Sequence, residues 1–237
     1  MKLILSLFLI LSAAKGFSQS CPPNIDLEAG NFSGWDCFLG STYNNAGVNV
    51  ISLSPSAPTP GRHEIISAAS MPTMDFYGNF PRLCPYSGNY SVKLGNSNTG
   101  SEAEGMSYTF QIPPSDDTFS LTYFYAVVFE DPSHQPPQQP RFFVTAYDVL
   151  TGDLIDCASY NYISTASIPG FRRSTVDPDV LYKDWSPASI DFSGLGGRTV
   201  RLEFKTADCT LSGHFGYAYF DVGNGCGGLI SVAALCG

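Results

Sequence analysis

Met106-Ser107-Tyr108-Thr109-Phe110-Gln111-Ile112 sets an apolar or aromatic side chain at every second position and a small or polar one between. Successive side chains of a strand point to opposite faces, so this stretch reads as an antiparallel strand with one face buried and one wet. The same period returns in Val200-Arg201-Leu202-Glu203-Phe204-Lys205. Residues 119–129 break it, being apolar or aromatic on both faces through Leu121, Tyr123, Phe124, Tyr125, Val127 and Val128. Such a segment belongs in the middle of a sheet covered on both sides. Further strands are expected at residues 25–28, 49–53, 90–94, 142–149, 189–192 and 217–222. Gly, Pro, Asn, Asp and Ser punctuate the chain at 54–61, 95–100, 131–140 and 194–197. Many strands, turns between them and no crossover helix predict an all-β fold: a two-sheet antiparallel β-sandwich of jelly-roll type, stabilised by disulfides.

The first twenty residues have a different character. Lys2 precedes an apolar run over 3–11 and a small, polar stretch closing at Ser18-Gln19-Ser20, the layout of a secretory signal peptide. The run is shorter than the roughly 20 apolar residues a spanning helix needs. Cleavage beside Ser20 is expected, without a lipid on Cys21, because the residues before it lack an aliphatic neighbour. The remainder divides into a sandwich domain over 21–226 and a tail over 227–237, or the start of a further domain. The protein is therefore expected outside the cell or on its surface, with no insertion into the membrane. Aromatic and charged residues are 14% each and the net charge is −9. With no Lys/Arg cluster, that balance argues against nucleic acid and anionic membranes as partners.

Seven cysteines in an exported chain imply disulfides. No C-x-x-C pair occurs among them, which sets a structural zinc site aside. An odd count leaves one thiol over, and Cys236, beyond the last strand, is the candidate for pairing with another chain or domain. Six cysteines leave many connectivities open; the preferred set is Cys37 with Cys84, Cys157 with Cys209, and Cys21 with Cys226.

Catalytic signatures are missing from the sequence. His63, His134 and His214 stand apart from any nucleophile elbow, and His63-Glu64 is followed by Ile65, Ile66 and Ser67, so H-E-x-x-H is absent. A non-catalytic protein is expected, with a secreted hydrolase as the minor alternative. Asp221 lies in phase with Tyr217 and Tyr219, so alternation buries it, and a buried carboxylate needs a cation or hydrogen-bond donors. Calcium, which takes carboxylate and carbonyl oxygens, fits Glu28, the Gly30 carbonyl and Asp221; the competing reading is two solvated acids and a hydrogen-bonded Asp221.

Blocks of sequence also carry a resemblance. Cys21-Pro22-Pro23-Asn24-Ile25-Asp26-Leu27-Glu28, Gly30-Asn31-Phe32-Ser33-Gly34-Trp35, Tyr90-Ser91-Val92-Lys93-Leu94-Gly95-Asn96, Gln139-Pro140-Arg141-Phe142 and His214-Phe215-Gly216-Tyr217-Ala218-Tyr219 resemble the N-terminal β-sandwich of secreted, gliding-motility-associated, adhesin-like proteins of the Bacteroidetes. More distantly, the opening N-x-x-x-E-x-G with its tryptophan is similar to galactose-binding-like carbohydrate-binding modules. That likeness implies a structural calcium on Glu28, Gly30 and Asp221. It also implies a surface module for adhesion or for an extracellular glycan or surface polymer. Aromatic faces and hydrogen-bonding tips suit sugar recognition, so Tyr77, His134, Arg141, Trp185 and His214 are the expected ligand contacts; the competing reading is that the loop aromatics pin long loops onto the sandwich and that Arg141 makes an internal ion pair. A structural spacer in a larger surface protein is the alternative.

Overall fold

The computed structural model describes residues 21–114, 118–131, 133–155, 160–163, 169–211, 213–223 and 226. The expected signal peptide over 1–20, the tail over 227–237 with Cys236, and Cys157 lie outside these residues.

Among the described residues, period-two patterning translates into twelve strands. They are β1 (Trp35–Asn45), β2 (Val48–Ser56), β3 (His63–Ser67), β4 (Tyr90–Leu94), β5 (Glu102–Gln111), β6 (Ser120–Glu130), β7 (Arg141–Asp148), β8 (Tyr160–Ile163), β9 (Arg172–Arg173), β10 (Val180–Asp191), β11 (Thr199–Ala207) and β12 (Gly216–Val222). They form two six-stranded antiparallel sheets, ordered β2-β1-β5-β11-β7-β8 and β3-β4-β12-β6-β10-β9. The chain is thus the all-β sandwich that the alternation predicts.

Between the sheets lies a core of Trp35, Met106, Tyr108, Phe142, Phe204, Phe220 and their neighbours. Phe204 of one sheet stacks on Phe220 of the other, ring centroids 4.1 Å apart. A second apolar layer covers the outer face of the β3-to-β9 sheet, where Phe80, Trp185, Phe215, Tyr217 and Tyr219 pack beneath the 68–89 loop. That layer is why β6 is apolar on both sides: Leu121, Tyr123, Tyr125, Val127 and Phe129 face the inter-sheet core, while Ala126 and Val128 face the loop. The phase of β12 follows as expected, with Ala218, Phe220 and Val222 inward and Tyr217 and Tyr219 in the outer layer.

Residues 25–28 differ from expectation, forming consecutive turns instead of a strand. Asn24 and Leu27 take positive φ of 56° and 61°, and the Asn24 amide group bonds Ala29 N and the Asn31 and Ser33 carbonyls. Local side-chain hydrogen bonding wins over extended pairing here. Ile25 and Leu27 are nonetheless fully buried, and the Trp35 indole N–H donates to the Asn24 carbonyl.

One expected disulfide is present: Cys21 is joined to Cys226 across 205 residues, tying the opening turns to the end of the last strand. The Cys37–Cys84 pairing is not formed, and both are buried free thiols. Cys37 belongs to the inter-sheet core and Cys84 to the outer layer, so a whole sheet separates them. Cys209 is likewise a buried free thiol; its expected partner Cys157 is outside the described residues.

Candidate functional site

Among the described residues, no loop layer of the kind that hides the opposite sheet covers the outer face of the β2-to-β8 sheet, and strands β5, β11 and β7 build a groove there. Register fixes the rows. Lys205 pairs Gly105 on one side and Phe143 on the other; Glu203 pairs Ser107 and Thr145; Arg201 pairs Thr109 and Tyr147. Phe38 lies opposite Gly105, and Ile51 and Leu53 of β2 close the far wall.

Gly105 makes the floor. A Cβ there would stand 2.9 Å from Leu53 Cδ1 and 3.4 Å from Phe38 Cβ, so only glycine leaves the depression between them open. Phe38, Phe143 and Tyr147 are half-buried and give the groove three aromatic surfaces. Cations stiffen two of these rings: the Arg201 guanidinium sits 5.5 Å from the Tyr147 centroid and Arg141 lies 5.6 Å from Phe143.

Polar groups converge at the centre. The Glu203 carboxylate accepts from Arg201 Nε at 2.7 Å and from Lys205 Nζ, which holds its oxygens in fixed directions. On either side of it, in the flanking strands, the hydroxyls of Ser107 and Thr145 are buried and have no hydrogen-bond partner. A buried hydroxyl without a partner is costly and uncommon. Both oxygens are sealed from solvent, so the polar surface that a ligand in the groove can meet is the Arg201–Glu203–Lys205 charge cluster beside them.

Of the residues expected to touch ligand, Arg141 borders the groove against Phe143 and the others lie elsewhere, so the structure does not bring them together at one surface. Trp185 is buried in the outer layer and its indole N–H donates to the Pro81 carbonyl at 2.7 Å, so its ring anchors the 68–89 loop and offers no free face. Arg141 is buried; its guanidinium donates to the Gln139 and Pro136 carbonyls and props the neighbouring loop under the groove's Phe143. Tyr77 lines a second hollow, over β4 and β12, with Met71, Met74, Phe76, Lys93 and Tyr217. Asp75 organises it, accepting from Tyr217 and Tyr219 hydroxyls through one oxygen and from Tyr77 and Gly78 amides through the other. His134 and His214 meet in a third place, at the sandwich end where β6 and β11 run out, their rings 5.3 Å apart.

The expected calcium ligands flank the join between the opening turns and the last strand. Asp221 is fully buried; Oδ2 accepts from Ser91 Oγ at 3.1 Å and Oδ1 has no partner. Burial pushes its carboxyl up to about 8, with the nearby Glu28 and Asp26 charges adding to the effect. An orphaned oxygen on a buried acid next to a second carboxylate fits a hard cation. The Glu28 oxygens, in contrast, accept from the Asn89 and Tyr90 amides and Asn89 Nδ2.

No protein-family profile matches the chain, and no curated protein does either. Among solved structures, the chain is similar to TmCBM61 in complex with β-1,4-galactotriose, at 12% identity and TM-score 0.46, covering 86% of this chain and 98% of that one. It is also similar to the enzymatically active domain of bacteriophage CBA120 tailspike protein 4, at 11% identity and TM-score 0.41, over 87% and 21% of the two chains. A third is CBM27-1 of Caldicellulosiruptor saccharolyticus in complex with mannohexaose, at 11% identity and TM-score 0.35, over 67% and 87%. With TM-scores below 0.5, these are distant likenesses.

Proposed function

We propose that the chain is a non-catalytic glycan-binding module of the cell exterior, and that the β5-β11-β7 groove holds a stretch of polysaccharide. The supporting observation is the Arg201–Glu203–Lys205 charge cluster lying among the half-buried rings of Phe38, Phe143 and Tyr147 over a glycine floor. Sugars present exactly two kinds of surface to a protein, hydroxyl edges and apolar C–H faces, and the groove offers a counterpart to each. Binding without cleavage is favoured because Glu203 is bound by two cations, whereas glycoside hydrolysis uses a pair of carboxyl groups, one of them free to give a proton.

A structural calcium is part of the proposal, with Asp221, Glu28 and the Gly30 carbonyl holding it at the Cys21–Cys226 end of the chain. It would neutralise Asp221 and brace the opening turns; it has no place in the groove.

Affinity electrophoresis through gels containing soluble polysaccharides tests the reading. Retardation by at least one polymer is expected, lost in Tyr147→Ala and Phe143→Ala and kept in Phe76→Ala, which lies on the opposite face. Loss in Phe76→Ala with retention in Tyr147→Ala would move the site to the Tyr77 hollow and overturn the groove.

A further inference from the structure

Three side chains far apart in sequence converge beside the loop end of the sandwich. Cys209 Sγ lies 3.3 Å from His134 Nδ1, and one ligand atom each from His134, Cys209 and His214 lie within 4.8 Å of one another. Cys209 is fully buried, and the buried Nδ1 of His214 has no hydrogen-bond partner. We propose that His134, Cys209 and His214 form a three-ligand site for a thiophilic transition metal, zinc foremost, with a fourth position left to water.

The geometry suits the metal. Zinc bonds sulfur and imidazole nitrogen at roughly 2.0–2.3 Å in a tetrahedron, which separates ligand atoms by roughly 3.3–3.8 Å. The Cys209–His134 gap already has that size, and a small turn of the His214 ring brings the third ligand in. Thiolate and imidazole are the donors that select zinc and its neighbours over calcium. On binding, the Sγ–H proton leaves to solvent and the two neutral imidazoles give lone pairs.

The surroundings are those of a prepared site. The Leu211 amide donates to Cys209 Sγ at 3.3 Å, the kind of outer contact that orients a thiolate ligand. Glu130, Asp131 and Asp179 act on His214 and offset the cation's charge. The two loops are fixed independently of any ion: Asn49 Nδ2 donates to the Gln138 carbonyl at 2.8 Å, and Thr210 Oγ1 donates to Asn49 Oδ1 at 2.8 Å. The absence of C-x-x-C hid this site in the sequence, because its short hook is Cys209 with His214 and its third ligand comes from another loop.

The test uses the full chain with its Cys21–Cys226 bridge intact, stripped with chelator and returned to buffer containing excess calcium. Zinc is then added and the desalted protein analysed for bound metal; a parallel sample receives cobalt(II). One zinc per chain and a thiolate-to-cobalt charge-transfer band are expected. Cys209→Ser is expected to abolish that band, and His134→Ala and His214→Ala each to weaken zinc binding at least about tenfold. Should Cys209→Ser not fold, the wild-type cobalt band and its weakening in His134→Ala and His214→Ala decide the matter. No retained zinc, zinc retained equally by all three variants, or Cys209 recovered in a disulfide from the native protein would each overturn the site.

Discussion

Replacing Asp221 by asparagine separates the two forces acting at that position. The carboxyl is fully buried and pushed from 3.8 to about 8. At pH 7 the metal-free chain must therefore keep it protonated roughly three pH units above its ordinary range, and at about 1.4 kcal/mol per tenfold this burden is about 4 kcal/mol. Asparagine keeps an acceptor for Ser91 Oγ and removes the charge, but adds an amide N–H2 without a partner, at a cost of about 1–3 kcal/mol. The expected result in chelator is that Asp221→Asn is more stable than wild type by about 1–3 kcal/mol. The sign with pH is fixed: a folded-state carboxyl that holds its proton to higher pH than the unfolded chain contributes fully below about pH 4 and loses that contribution as pH rises through about 8. The variant's advantage thus grows between pH 5 and pH 8. Calcium cancels most or all of that advantage, since wild type gains about 2.7 kcal/mol at a hundredfold excess over its dissociation constant and the variant gains little. Urea unfolding in chelator and in calcium measures both. A variant less stable than wild type in chelator at pH 8, with neither protein responding to calcium, would refute the reasoning and leave Asp221 as an ordinary hydrogen-bonded acid.

Breaking the Cys21–Cys226 bridge by the double serine variant removes a constraint over 205 residues, and a loss of about 2–5 kcal/mol is expected in denaturant unfolding. Cys37 and Cys84 are buried and their thiols are raised by burial to about 11 and about 12, so neither is expected to react with iodoacetamide at pH 8 until the protein unfolds; labelling of either in the native state would contradict the separate layers assigned to them. Gly105→Ala meets only the movable end of Leu53 first, so stability is expected to change by less than about 1 kcal/mol while polysaccharide retardation falls.

Alternation made the sandwich legible. The strand around residues 106–112 and the inward set of β11 read directly from the chain because a half-buried strand can satisfy its two faces in only one way. The double-sided apolarity of β6 foretold a second covering layer, which the 68–89 loop supplies. Residues 25–28 misled because Ile25 and Leu27 are buried from turns, and burial alone does not distinguish a strand from an anchored turn. The groove was half visible: Arg201, Glu203, Lys205, Ser107 and Thr109 read as the wet side of their strands. What sequence does not carry is that β5, β11 and β7 are neighbours, although they stand far apart in the chain, and so that Ser107, Glu203 and Thr145 share a row. Residues such as Trp185 drew attention instead, since a tryptophan in a sequence looks the same whether its ring faces solvent or, as here on β10, pins a loop through Pro81. The cysteine pairing failed for a similar reason, because which side of a sheet Cys84 occupies is decided by a loop that folds over the outer face.

The most direct test of the groove is nuclear magnetic resonance with an oligosaccharide cut from whichever polymer retards the protein. Titration is expected to shift the signals of Phe143, Thr145, Tyr147, Ser107 and Glu203 together, saturating at one ligand per chain, with the Tyr77 and Phe76 signals unmoved. Shifts confined to the loop over β4 and β12, or no shifts with any retained sugar, would contradict the assignment of this face as the binding surface.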